Sequence, residues 1–153
     1  MISYRIQEGD ILIPDSWSDQ SINIFKIPAE GKASEASFVI SRDASQGDTP
    51  FSDYVAGQMD AASKQLQGFK LLQHEDFMLC GCDAAAVLYQ WNSNGRDLML
   101  WQVFVESKPT VVVLTLTTTP DDAENHRELW LEVIKSFRPF PYAGPSREHE
   151  TSP

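Results

Sequence analysis

The sequence predicts an α+β domain, an antiparallel β-sheet that carries two helices. Eight short segments read as strands, helical spacing of apolar residues occurs twice, and 153 residues suffice for one domain with its own core. The order of four strands, a helix, four strands and a helix is typical of this class. We expect a single domain over residues 1–140 with a curved sheet, both helices on one face and an apolar groove on the other, followed by a flexible tail over 141–153.

Four strands are predicted before the first helix. Gly9 separates the first two, Pro14 and Asp15 end the second, and the polar segment 28–34 forms the turn before the fourth. The predicted strands are 2–6, 10–13, 21–27 and 36–42.

The first helix is predicted to follow the loop that contains Gly47. The Thr49 hydroxyl is placed to cap it, Pro50 suits its first position, and Gly68 suits its end. Apolar residues then recur at helical spacing and predict a stripe that faces the core: Phe51, Val55, Met59, Ala62 and Leu66.

Four further strands and a second helix complete the predicted domain. The turn signal of residues 92–95 and the pair Lys108-Pro109 separate strands among the candidates 69–78, 82–92, 97–107 and 110–118. Residues 119–122 resemble a capping box with Asp in place of Glu, and Pro139 ends the helix that follows. Its predicted core stripe is His126, Trp130, Val133, Ile134 and Phe137.

The segment 21–27 is apolar on both faces when it is read as a strand. Ile22 and Ile24 then point one way, and Phe25 and Ile27 point the other. Later strands repeat this pattern, with one face bulky and the other mixing medium apolar residues with glutamine, serine and alanine. Either the sheet is enclosed in a core on both faces, or one face is an open groove for a second copy or an apolar partner.

Composition and motifs exclude several classes of function. A net charge of -10 disfavours nucleic acids and anionic membranes, and the sequence shows neither a signal peptide nor an apolar run of membrane-spanning length, so we expect a cytoplasmic protein without a membrane anchor. No nucleotide-binding loop, nucleophile elbow or metal-ligand spacing occurs, which predicts a non-enzyme without cofactor or metal. We interpret His74-Glu75-Asp76 as solvated, His126 as packed, and Cys80 and Cys82 as reduced structural thiols.

The segments Ser3-Tyr-Arg-Ile-Gln-Glu-Gly9 and Asp19-Gln-Ser-Ile-Asn-Ile-Phe25, with the acidic single-domain layout, resemble the Eag chaperones of bacterial type VI secretion. These chaperones belong to the DcrB-like group and share the fold of the Mog1 and PsbP proteins. The resemblance implies a homodimer that binds the amino-terminal transmembrane helices of a PAAR-domain effector, and a short motif before the PAAR domain, until the effector is loaded onto the secretion spike.

The resemblance also implies which residues contact the client. Ile22 and Ile24 match groove isoleucines that contact apolar helices, whereas Ser41, Gln58 and Gln102 match polar side chains that hydrogen-bond to client residues. This assignment places Phe25 and Ile27 on the core side. Two other functions remain open: a carrier or sensor of a small hydrophobic ligand in the same groove, and a Mog1-like adaptor that binds a folded partner.

Overall fold

The computed structural model describes residues 1–140, so the tail predicted over 141–153 lies outside the described residues. This part of the chain forms eight strands and two helices in the predicted order. They are β1 (Ile2–Ile6), β2 (Gly9–Ile13), β3 (Asn23–Ile27), β4 (Ala36–Asp43), α1 (Phe51–Gln65), β5 (Lys70–Leu79), β6 (Cys82–Ser93), β7 (Arg96–Ser107), β8 (Thr110–Thr118) and α2 (Ala123–Ser136). The α+β class and the antiparallel sheet are therefore confirmed.

Six of the strands form one antiparallel sheet in the order β3-β4-β8-β7-β6-β5. The register aligns side chains into rows that cross the strands, because directly paired residues share a face. One row consists of Ile24, Val39, Thr115, Gln102 and Val87. The next row, on the opposite face, consists of Phe25, Phe38, Leu116, Trp101 and Leu88.

The two helices pack against opposite faces of this sheet. Buried residues of α1 join Val87, Tyr89 and Phe104, whereas those of α2 join Val103 and Leu116 from the other face. The expectation that both helices share one face is therefore wrong. Both faces are apolar over the middle strands, and each one needs a helix to bury it. We call the two sides the α1 face and the α2 face.

The α1 helix packs the predicted stripe against the sheet except for Ala62, which lines a cavity, and it adds Tyr54. Val55 and Met59 are buried, Phe51 and Leu66 pack at the margin, and Tyr54 is also buried against Phe104 in an edge-to-face contact. The helix begins at Phe51, after Pro50, and no side chain caps it. The predicted Thr49 cap is therefore wrong, and the helix ends at Gln65, before Gly68.

The α2 helix is held by Trp130 and Ile134, which are buried on the α2 face. Trp130 meets Phe38 edge to face at 5.7 Å between ring centroids, and Phe38 in turn stacks on Phe25. Val133, predicted for the same stripe, is exposed instead. The helix begins at Ala123, and Asp122 makes no side-chain cap of it.

Asp122 instead ties α2 to the turn between β3 and β4. Its buried carboxylate accepts hydrogen bonds from the Ser34 backbone N–H, from Asn125 Nδ2 and from Thr118 Oγ1, and contacts His126 Nε2 at 2.8 Å. His126 is buried, as its place on the helix predicts. The capping-box expectation is wrong because the helix starts at Ala123, after Asp122, and the carboxylate bonds to Ser34 and to side chains on either side of it in the sequence.

Strands β1 and β2 form a separate hairpin. Its side chains divide into an apolar face with Tyr4, Ile6 and Ile11, and a second face with Arg5, Asp10 and Leu12. Tyr4 is tied by its hydroxyl to Asp19, at 2.9 Å, in the link before β3. Within residues 1–140, neither core cluster includes a residue of this hairpin.

Candidate functional site

One helix is too narrow to cover this sheet. Six strands spaced by about 4.8 Å span about 24 Å, whereas a helix with its side chains is about 10 Å across. The α1 helix packs over β6, β7 and β8, so the α1 face of β3 and β4 stays open. The α1 face is thus a closed core under α1 and an exposed surface beside it, and the groove for a partner stays a prediction.

We define the open strip as the exposed or half-buried side chains Ile24, Val39, Ser41, Thr115 and Gln102 on the α1 face. Ile24, Val39, Thr115 and Gln102 belong to one cross-strand row, which starts at the edge strand β3 and runs toward α1. Ile24 is 71% exposed, and the other four are half-buried. The strip therefore presents apolar, hydroxyl and amide groups side by side.

A cavity of about 360 Å³ separates the inner end of the open strip from α1. Ser41 and Gln102 line it from the sheet, and Gln58 lines it from the helix. The structure thus brings together the three polar residues assigned from the resemblance, and Gln58, whose direction the sequence leaves undecided, lines the same space. Their role in binding a client stays a prediction.

The polar groups of this cavity keep hydrogen-bonding capacity. Gln102 donates from Nε2 to Thr115 Oγ1 at 3.1 Å, which orients its amide along the row. Among residues 1–140, the side chains of Ser41 and Gln58 make no hydrogen bond to another group of the chain. A hydroxyl and a carboxamide each donate and accept, so these two can bind polar atoms of a ligand.

One end of the cavity is held by a hydrogen bond from α1 to β4. The Tyr54 hydroxyl donates to Asp43 Oδ2 at 2.5 Å. Burial and the neighbouring Asp43 raise the pKa of Tyr54, which stays a neutral donor. Burial alone would raise the pKa of Asp43, but hydrogen bonds from Tyr54 and Ser45 outweigh it and lower this pKa. Tyr54 is therefore held neutral and Asp43 is held ionised, and the hydrogen bond between them ties α1 to β4.

The two isoleucines assigned from the resemblance differ in their position relative to β3. Ile24 lies within β3 on the α1 face, opposite Val39. Ile22 precedes β3 and is 56% exposed, so the expectation that residues 21–27 form a strand is wrong at its start. Ser21 donates its backbone N–H to the Asp19 carboxylate, a local turn that delays the strand. Ile27 packs against the α2 cluster, whereas Phe25 stays half exposed.

The α1 side of the cavity contains three residues that the sequence reasoning did not assign to the site, although Ala62 was predicted for the core stripe. They are Ala61, Ala62 and Gln65, which lie with Gln58 along one wall. Spacing of three, four and seven residues places them on one helical face beside the buried stripe. This spacing was a usable signal, since two small residues between two glutamines let another chain approach the helix closely.

The described residues contain no grouping suited to metal chemistry or to spanning a membrane. No cluster of three ligating side chains occurs within residues 1–140, and neither helix of that region is long and apolar enough for a bilayer. His74 is paired with Asp76 at 3.0 Å on the exposed edge strand β5. Cys80 and Cys82 are both free thiols.

Comparison with known proteins gives three results. The DcrB family matches residues 8–136. A Pseudomonas aeruginosa PAO1 protein described as Effector EagT6 is 56% identical over 141 residues, which cover 92% of this chain and 98% of that protein. The crystal structure of a P. aeruginosa protein of unknown function, also 56% identical, superposes with a TM-score of 0.84 over 93% of this chain and 99% of its own.

A more distant structure supports the fold alone. The solution structure of the PsbP protein of the cyanobacterium Synechocystis sp. PCC 6803 has a TM-score of 0.51 at 13% identity, over 91% of this chain and 92% of its own. This likeness agrees with the PsbP-like architecture implied by the resemblance. The long family match and the 56% identity settle the relationship: the chain is an Eag-like member of the DcrB family.

Proposed function

We propose that this protein is a cytoplasmic homodimeric chaperone, which binds and shields the amino-terminal transmembrane helices and the pre-PAAR motif of a type VI secretion effector. The name of the 56% identical relative contains the word effector, and the resemblance to Eag chaperones supplies the rest of the role. The observation that carries the proposal is the open strip, whose exposed apolar residue Ile24 is followed by a cavity lined by the polar side chains of Ser41, Gln58 and Gln102.

The chemistry of the open strip suits a membrane helix held in water. Such helices pair through small residues and hydrogen bonds, so their surfaces combine apolar area with exposed polar atoms. Ile24 and Val39 offer apolar contact, while Ser41, Gln58 and Gln102 offer donors and acceptors to the polar atoms. The net charge of -10 keeps the complex dissolved and away from anionic membranes.

The test is co-expression of the protein with the amino-terminal segment of a PAAR-domain effector encoded beside it. We expect the wild-type chain to keep the segment soluble and to co-purify with it. The double variant Ile22→Asp, Ile24→Asp should lose at least about 100-fold in affinity, because burying two isoleucines contributes about 3–6 kcal/mol. Both side chains are exposed, so its thermal melt should match the wild type.

The control is Phe25→Asp, which places one carboxylate on the same strand as Ile24→Asp but on the α2 face. It should retain the client segment. The proposal fails if the segment stays soluble without the protein, or if the double isoleucine variant binds it as well as wild type. A lipid found by native mass spectrometry in place of the helix would favour a small-ligand carrier instead.

A further inference from the structure

The α2 face has an uncovered region of its own at the opposite end of the sheet. A cavity of about 720 Å³ lies between α2 and the strands β5, β6 and β7. We call it the trough and define it by six of its lining residues: Phe77, Leu88, Trp101, Arg127, Leu131 and Lys135. Its floor is aromatic and aliphatic, and its helical rim carries two cations.

The β1–β2 hairpin is the second unpartnered apolar element of the chain. Ile6 and Ile11 on its apolar face are nearly half exposed, and the hairpin joins neither core cluster of residues 1–140. An isolated two-stranded hairpin is marginally stable in water, so this one needs a surface to pack on. The trough is a surface of matching kind, since five-residue strands are about 16 Å long and a strand pair has about the width of a helix.

These two surfaces do not meet within one chain. The hairpin precedes β3 at one edge of the sheet and is tied there through Tyr4 to Asp19. The trough is lined by α2 and by β5, β6 and β7, toward the other edge of the sheet, and no residue of the hairpin lines it. A contact between them must therefore join two copies.

Charge also favours this contact. Residues 1–20 carry four carboxylates, Glu8, Asp10, Asp15 and Asp19, and two cations, Arg5 and the amino terminus, which pair with Asp10 and Asp15, so the segment keeps an excess of two acids. The trough has the opposite balance, with Arg127 and Lys135 against Glu75. In a chain of net charge -10, a cationic rim beside an apolar floor marks a surface for an acidic apolar segment.

We propose that the apolar face of the β1–β2 hairpin docks in the trough of a second copy, and that two reciprocal contacts close the homodimer. The inference rests on the homodimer of the proposed function and specifies its interface. Reciprocal exchange gives a twofold assembly that ends at two chains, whereas a one-way contact would continue into a filament.

The test compares two full-length variants with matched controls by sedimentation equilibrium. Ile6→Asp with Ile11→Asp charges the docking face of the hairpin, and Leu131→Asp charges the trough. Their controls are Leu12→Asp on the other hairpin face and Leu129→Asp on the other side of α2, both at more exposed leucines. We expect both interface variants to raise the dimer dissociation constant at least about 100-fold, and both controls to stay within about threefold of wild type. Circular dichroism melts establish that each variant is folded.

Mixing the two interface variants gives the sharper result. A mixed dimer pairs the intact hairpin of the trough variant with the intact trough of the hairpin variant, so one of the two contacts is restored. We therefore expect the mixture to form a heterodimer, and a chain with all three substitutions to remain monomeric. Interface variants that dimerise like wild type, controls that disrupt equally, or a mixture that stays monomeric would each overturn the inference.

Client binding by the same proteins separates this inference from the proposed function. A wild-type chain that stays monomeric and still binds the client segment overturns the hairpin contact alone. A dimer built through the hairpins that binds no client overturns the proposed function alone. If Leu131→Asp abolishes client binding and leaves the dimer intact, the trough belongs to the client and the inference is wrong.

Discussion

The open strip and the trough are the two ends of one sheet that are left uncovered on opposite faces. Each exists for the same reason, because a single helix covers about half of a six-stranded sheet. Their chemistry differs. The strip combines Ile24 and Val39 with Ser41, Thr115 and Gln102, whereas the trough has aromatic rings and leucines on its floor and cations at its rim. The placement of the helices leaves the two regions uncovered, and their side chains give them different chemistry.

Two adjacent cross-strand rows show that a shift of one residue along a strand separates the α1 face from the α2 face. Moving one residue along each strand replaces Ile24, Thr115 and Gln102 by Phe25, Leu116 and Trp101. The first set stays accessible and partly polar, and the second extends an aromatic ladder from Phe25 through Phe38 to Trp130. Near β3 and β4 the α2 face is therefore closely packed, whereas the open strip stays accessible.

The largest expected effect is a loss of stability when a buried side chain of α2 beside the trough is truncated. Trp130→Ala removes a buried ring that contacts Phe38, and we expect a loss of about 3–5 kcal/mol in the free energy of unfolding, measured by urea denaturation. Leu131→Ala, one residue further and 39% exposed, should lose less than about 1 kcal/mol. Equal losses would show that the margin of the trough is packed as tightly as its core.

The next effect tests the clamp that joins α2 to the strand pair β3–β4. Asp122→Asn replaces an acceptor that serves Ser34, Asn125 and Thr118, and we expect a loss of about 2 kcal/mol at pH 7. Asp121→Asn, at an exposed neighbour, should be close to neutral.

The same variant has a predicted dependence on pH. The hydrogen bond from Asn125 is the largest influence on the pKa of Asp122, and with the bonds from Ser34 and His126 it outweighs burial and holds this pKa below the ordinary 3.8 of an aspartate. A depressed carboxyl pKa contributes stability that is complete above the unfolded pKa and is lost as the pH falls through the folded one. The difference in stability between wild type and Asp122→Asn should therefore shrink as the pH falls below about 4. A difference in the free energy of unfolding between the two proteins that is constant from pH 7 to pH 3 would contradict this prediction.

The sequence was sufficient for the strands and the helices, because alternation and helical spacing are local properties of the chain. It could not assign the helices to faces. Both faces of the middle strands are apolar, and the partner of each stripe is chosen by long-range packing such as Tyr54 on Phe104. It placed the start of β3 too early because the hydrogen bonds between Asp19 and Ser21 compete with strand pairing.

The candidate site was predictable in part. The resemblance supplied Ser41, Gln58 and Gln102, which come from a strand, a helix and another strand, and only the fold shows that they line one cavity. Periodicity alone could not have joined them. Nothing in the spacing of Ile22 and Ile24 indicates that one precedes the strand and the other lies within it.

The smallest effect concerns the polar character that separates the open strip from the trough. Gln102→Leu keeps the approximate size of the side chain but removes the amide that donates to Thr115 and lines the cavity. We expect stability to change by less than about 1 kcal/mol, because the site is half-buried and Thr115 is not left fully enclosed. Client affinity should fall about tenfold, the value of one lost hydrogen bond of about 1.4 kcal/mol, measured with the purified segment. Gln90→Leu makes the same exchange on the α2 face and should leave client affinity unchanged. If Gln102→Leu binds the client more tightly, apolar area alone governs the strip, and its contrast with the trough has no bearing on recognition.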